Sequence, residues 1–240
     1  MFVQLPLKIG LKEEATFDTF VVEQESIAIA VASFQQSLMN NQSDLILLNG
    51  EQKSGKTHLL QSACRFFGEN SLTSDSSTVY LPLADKNLPL IPIILDGLEM
   101  VKLICIDDIE EVIGIKEWEV ALANLITKSQ AQGQKLVITS ENAMTKWRMV
   151  TKELSNAMMV ASTITLSQLT EQEELVEALK KRSVRTGFDF RLEVGNYLVK
   201  QFSNDLSELI AVLQIIENAS IIQKRKITLP FVKSVLSKTY

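Results

Sequence analysis

The sequence predicts an α/β domain built on a five-stranded parallel sheet, followed by a small all-helical domain. Short continuous apolar runs, the pattern of strands buried on both faces, alternate with helix-length segments as far as Leu166. Beyond Leu166 the strand signal ends and helical patterns continue to the C-terminus. A chain of 240 residues, 46% hydrophobic and 22% charged, is long enough for one sizeable core and a small satellite domain.

The first strand is expected in "DLILLNG", Asp44 to Gly50, and a helix follows in "THLLQSACRFFG", stopped by Gly68. "GENSLTSDSS", Gly68 to Ser77, reads as a polar surface loop. Strands are then expected in "TVYLPL" (Thr78 to Leu83), "VKLICID" (Val101 to Asp107), "QKLVITS" (Gln134 to Ser140) and "STITL" (Ser162 to Leu166). The helix "KEWEVALANLITKSQAQG" intervenes and stops at Gly133. In the last third, "TEQEELVEALKKRSVRTG" opens on a capping box of Thr170 with Glu173 and ends on Gly187. Three more helices follow, the last capped by Thr228. The division expected is a tail over 1–15, an α/β core over 16–168 and a helical domain over 169–240.

Composition narrows the function classes. A net charge of −5 is not the footprint of a dedicated nucleic-acid binder, although local basic patches are compatible with it. Cys64 and Cys105 sit in apolar stretches and suit a reducing cytosol, and the single histidine, His58, excludes histidine-cluster metal chemistry. The opening "MFVQLPLKIGL" admits three readings: a secretion signal, a buried strand, or a free segment that another protein binds. It has no basic n-region, and Lys8, Glu13 and Glu14 follow where a signal needs a cleavage site, so secretion is not expected. No window approaches the roughly 18 unbroken apolar residues of a membrane span.

"GEQKSGKT" fits G-x-x-x-x-G-K-[ST] with Gly50, Gly55, Lys56 and Thr57, and Gln52, Lys53, Ser54 and His58 complete the candidate phosphate-binding set. Glycines let the backbone curl until its N–H groups face phosphate oxygens, and Lys56 adds a mobile cation. Thr57 offers a hydroxyl to Mg²⁺, and the following helix turns its positive end toward the anion. The loop stands between an expected strand and an expected helix, which is the context the motif requires.

"LICIDD" supplies acids at the end of a strand. Asp107 is placed to hold Mg²⁺ and Asp108 to orient a water; alternatively both simply end a strand at solvent. "LVITSEN" is a further strand whose end, Ser140 and Glu141, would lie beside the phosphate loop. Glu141 there either senses a γ-phosphate or belongs to an ordinary polar loop.

Phosphate loop, acid pair, polar strand end and helical lid together resemble the AAA+ ATPases. "ATFDTFVV", "SGKTHLLQSAC", "LICIDDIEEV", "LVITSEN" and "QKRKITLPFVKSVL" narrow the resemblance to the DnaA/Hda clade of that family, over essentially the whole chain. The resemblance implies a cytoplasmic bacterial regulator of replication initiation that binds ADP or ATP with Mg²⁺. It implies DnaA and the β sliding clamp of DNA polymerase III as partners, no sequence-specific DNA binding and no membrane, with self-association left open. It also implies that "QLPLKI", with Gln4, Leu5, Pro6, Leu7 and Ile9, is the clamp-docking peptide. An extended segment of this kind buries leucines in a groove while Gln4 gives directional hydrogen bonds.

Two family cations are missing. The arginine-finger position falls on Ala157, with Arg148 and Lys152 as substitutes or as plain solvated charges. The lid position that senses nucleotide falls on Ser207. Intrinsic hydrolysis is therefore expected to be weak or absent. Three readings follow: an Hda-like adaptor promoting ATP hydrolysis by DnaA, a DnaA paralogue that blocks DnaA by contact alone, and an active AAA+ loader or remodeller.

Overall fold

The expected apolar runs form five strands: β1 (Asp44–Gly50), β2 (Thr78–Pro82), β3 (Leu103–Asp107), β4 (Lys135–Ser140) and β5 (Ser162–Leu166). They make one parallel sheet in the order β2-β3-β4-β1-β5 in a computed structural model that describes residues 11, 15–20, 25–40, 42–70, 77–202 and 204–239. The three inner strands are buried almost throughout, as their unbroken apolar character requires, whereas "STITL" lies at an edge and exposes Ser162, Thr163 and Thr165. Helices α1 (Glu25–Ser37), α2 (Lys56–Asn70), α3 (Lys116–Ala131) and α4 (Lys152–Met158) complete this unit.

Alternation along the strands sorts the core. Leu45, Leu47, Ile104, Ile106, Leu136 and Ile138 pack with Leu122 and Ile126 of α3 and with Leu154 and Met158 of α4. On the other side Cys105 reaches the Leu60 carbonyl of α2, and burial raises its thiol pKa; both cysteines are buried and free. Phe17 sets its ring edge-on to Phe34 of α1 and Phe66 of α2, at 5.8 and 5.5 Å between centroids.

Gly68 does not stop α2, which continues to Asn70. Its backbone stays helical with open space around it, and the Asn70 side chain donates to the Phe66 carbonyl in the last turn. The expected loop thus begins later, and its residues 71–76 lie outside the described residues. Gly133 does follow the end of α3, at φ 72°.

The described residues divide into two compact units, the second comprising Gln168–Tyr240 with Asp18–Glu23. It contains α5 (Gln172–Arg185), α6 (Leu192–Gln201), α7 (Leu206–Gln223) and α8 (Leu229–Thr239), packed around residues such as Leu179, Leu198, Leu213 and Phe231. The capping box at α5 is Glu171 with Glu174, one residue later than expected from Thr170 and Glu173. A carboxylate at the cap bonds the third helical N–H, and Glu174 reaches back to the N–H groups of Glu171 and Thr170. Gly187, at φ 84°, closes α5 with N–H bonds from Gly187 to the Val184 carbonyl and from Phe188 to the Ser183 carbonyl. Asp205 caps α7, and α8 begins directly after Thr228. Although α7 is long and apolar enough by composition to cross a membrane, its Leu209, Val212, Leu213 and Ile216 form the centre of this unit's core.

Candidate nucleotide site

The site grows from the ends of the inner strands. Register sets Asn49 of β1 beside Ser140 of β4, and β4 in turn beside β3, so the phosphate loop, the strand end at Ser140 and the acids of β3 share one edge of the sheet. The loop runs directly from β1 into α2, and the N–H groups of the first turn of α2 are turned toward it.

Gly50 is needed for close approach: a Cβ there would meet the Leu166 carbonyl oxygen at 2.3 Å and Ser54 Oγ at 2.7 Å. Gly55 takes φ 90° and Lys53 φ 63°, conformations that curl the loop. Lys56 is buried and its ammonium donates to the carbonyls of Gly50 (2.7 Å) and Glu51 (2.9 Å), inside the loop. Ser54 Oγ is buried without a hydrogen-bond partner. A buried cation and an unsatisfied hydroxyl in a ring of backbone N–H groups fit a phosphate group. His58 is turned elsewhere: its Nε2 bonds the Thr16 carbonyl at 3.0 Å, tying α2 to the entry of the chain.

Asp107 is fully buried at the end of β3, and both its oxygens are engaged. Tyr80 OH donates to Oδ2 at 2.8 Å and Thr139 Oγ1 to Oδ1 at 2.5 Å. Burial and the adjacent Asp107 charge push the Tyr80 phenol far above its ordinary pKa, which keeps its donor proton. Thr139 Oγ1 also accepts from the Asp108 N–H at 2.8 Å, fixing Asp108 in a left-handed conformation at φ 58°. Burial, then the charges of Asp107 and Glu110, push Asp108 up to about 6. Hydroxyl and carboxylate oxygens at Thr57 and Asp107 are donors that suit Mg²⁺.

Ser140 is buried, whereas Glu141 is partly exposed. Glu110 organises this end of β4: its Oε1 accepts from Ser140 Oγ, and from the N–H groups of Glu141 and Asn142. Trp147 Nε1 donates to Ser140 Oγ at 3.0 Å.

A further buried acid governs the approach to α4. Glu119, on α3, is fully buried and accepts from the N–H groups of Gly114 (2.8 Å), Val150 (3.0 and 2.9 Å) and Thr151 (2.7 Å). Burial alone would raise its pKa, but the hydrogen bonds from Gly114, Val150 and Thr151 outweigh it and hold the carboxyl below its ordinary value. The clamped backbone carries Arg148 and leads to Lys152, both exposed. Ala157 is half-buried and packs on the core of its unit. In the lid, Ser207 lies in the first turn of α7 with its N–H bonded to Asp205. Gln4, Leu5, Pro6, Leu7 and Ile9 lie outside the described residues.

Tyr80, Thr139, Glu110 and Glu119 are absent from the sequence-derived set. The register carried a signal for two of them: Tyr80 pairs with Cys105 and shares the face of Asp107, and Thr139 follows the Ile106 and Ile138 pair and so neighbours Asp107.

A parallel sheet in this order, with a phosphate loop, an acid-ended strand and a helical lid, defines an AAA+ P-loop fold. Residues 171–236 match the family model described as Hda, lid domain. Domain III of the replication initiation protein DnaA from Thermotoga maritima superposes with a TM-score of 0.73 at 18% identity, covering 95% of this chain and 98% of that one. AMPPCP-bound DnaA from Aquifex aeolicus gives 0.66 at 18% identity, over 86% of this chain and 66% of that one. The RuvB Holliday junction branch migration motor of Thermotoga maritima gives 0.65 at 15%, over 93% and 71%. At such identities the likeness is one of fold. An uncharacterized protein of Haemophilus influenzae is 29% identical over 239 residues, 98% of each chain. The chain thus joins a stretch that matches the Hda lid to a core with the fold of DnaA domain III.

Proposed function

We propose that this chain is a cytoplasmic Hda-like adaptor of replication initiation. It docks on the β sliding clamp through Gln4, Leu5, Pro6, Leu7 and Ile9 and promotes hydrolysis of the ATP held by DnaA. The observation that supports this reading most is the Hda lid at 171–236 on a core whose phosphate loop keeps its glycines, Lys56 and Thr57. In its own site, the loop N–H groups, Ser54 and Lys56 would hold the phosphates of ADP or ATP. Thr57 and Asp107 would hold Mg²⁺, which supplies charge neutralisation when bound. On this reading Asp108 would orient a water and Glu141 would sense the γ-phosphate. The missing cations at Ala157 and Ser207 make this nucleotide a ligand that is turned over slowly or not at all.

The test follows ATP bound to DnaA, with DNA-loaded clamp, on adding wild-type protein or the Gln4→Ala, Leu5→Ala variant. Stimulation that disappears in the variant is expected. The alanine at position 157 favours a second reading, a DnaA paralogue that blocks DnaA by contact alone. Clamp binding without any stimulation of DnaA would select it, and Arg148→Ala and Lys152→Ala test the substitute fingers.

A further inference from the structure

Five of the chain's cations fall between Asn218 and Tyr240, a stretch with no acidic residue, although the chain as a whole carries −5. Just before it, Glu217 is buried against Arg182 and Thr186 and offers the surface no negative charge. Within this stretch the connection between α7 and α8 is a hydrogen-bonded turn. Between α7 and α8 the Lys224 N–H bonds the Ile221 carbonyl, the Arg225 N–H bonds the Ser220 carbonyl, and Ser220 Oγ donates to the Arg225 carbonyl. Lys224, Arg225 and Lys226 are exposed, and Lys233 on α8 is exposed as well; none forms an ion pair among the described residues.

Lys224 occupies this turn at φ 51°, the left-handed position that closes a helix and that glycine or asparagine fills without strain. A lysine there is less favourable than glycine. The aromatic rings nearby are already covered: the Arg225 guanidinium lies over Phe231, which is buried, and the Lys233 ammonium over Tyr197, at 5.2 and 5.3 Å. Among the described residues around the turn no ring is offered for stacking on an unpaired base, which disfavours single strands. Ile215, Ile221 and Ile222 are exposed on the outer side of α7, but Gln214 and Asn218 interrupt them and no cation lies on that face within the helix, unlike a lipid-surface helix with its basic polar face. Cations on a hydrogen-bonded turn, without neutralising acids, match a rigid row of phosphates.

We propose that the α7–α8 turn, through Lys224, Arg225 and Lys226, is a sequence-independent contact for the phosphate backbone of duplex DNA. It adds to the adaptor reading and does not depend on it. Three neutralised phosphates give a slope of about −2.7 for log K against log salt, so affinity falls roughly 40-fold when salt rises fourfold.

Full-length protein, with nucleotide, is titrated by fluorescence anisotropy against two duplexes of unrelated sequence across a salt series. Both duplexes are expected to bind alike with that slope. Lys224→Gly relieves the left-handed strain and should raise the lid's melting temperature while weakening binding, so that lost binding cannot be ascribed to unfolding. Lys224→Gly with Lys226→Gln should flatten the slope by about 2, and Lys180→Gln with Lys181→Gln should leave it unchanged. The Gln4→Ala, Leu5→Ala variant should keep the DNA contact, which separates this proposal from clamp docking. An unchanged slope in Lys224→Gly, Lys226→Gln overturns it. So does capture by phosphatidylglycerol vesicles, lost in Ile221→Ser with Ile222→Ser, when neither duplex binds.

Discussion

Replacing Glu119 by glutamine tests how the core holds the segment ahead of α4. The carboxylate is fully buried and accepts three backbone N–H groups at 2.7 to 3.0 Å, from Gly114, Val150 and Thr151. Hydrogen bonds to a charged acceptor contribute about 1.5–3 kcal/mol each. Glutamine keeps one carbonyl oxygen but loses the charge and turns an NH₂ donor toward N–H groups. We expect a loss of about 3 kcal/mol, which lowers the melting temperature of a domain of this size by roughly 6–12 °C. Differential scanning calorimetry at pH 7 measures it. Because the folded carboxyl sits below its ordinary pKa, the wild-type advantage should be complete above pH ~4.5 and fade as pH falls through the lower folded value. A glutamine variant within about 0.5 kcal/mol of wild type, a typical surface-substitution effect, or one whose deficit does not shrink in acid, refutes the clamp.

Three other outcomes are expected. Gly50→Ala drives a methyl against the Leu166 carbonyl and should abolish binding of a fluorescent ADP analogue while lowering the melting temperature. Tyr80→Phe removes the donor to Asp107, about 1 kcal/mol, and should weaken nucleotide binding roughly fivefold in Mg²⁺ but not in EDTA. Arg182→Met strands the buried Glu217 carboxylate and should destabilise the lid by about 3–5 kcal/mol; adding Glu217→Leu should restore most of that loss, as urea denaturation of the two variants would show.

The fold was legible because its signals are local. Short unbroken apolar runs of β-branched character such as "LICID" fit strands of a covered sheet, and Gly133 and Gly187 close helices by accepting positive φ. Gly68 misled because glycine marks a helix end only when the backbone turns left-handed there. The phosphate loop was legible for the same reason of locality: its residues are contiguous. The partners of Asp107 were not, since Tyr80 and Thr139 come from the strands on either side and meet it only through register. Glu119 gave no local sign that it would reach Val150 and Thr151 at 31 and 32 residues' separation.

The cost of each local arrangement sharpens the functional reading. At the phosphate loop the chain retains features that disfavour the folded state on their own: a buried ammonium at Lys56, an unpartnered hydroxyl at Ser54, and a backbone that tolerates only glycine at position 50. Features of that kind persist where a bound anion offsets them. The two positions that the proposed reading assigns to hydrolysis are of the opposite kind. Ala157 packs its methyl on the core, and Ser207 sits in the first turn of α7, where a small polar residue is favourable. Both positions serve their own helices, and neither holds a charge in reserve. Under the adaptor reading proposed above, binding chemistry held at a structural cost, beside finger and lid positions that serve local stability, is the balance expected of a protein that uses its nucleotide to hold a shape and leaves the chemistry to a partner.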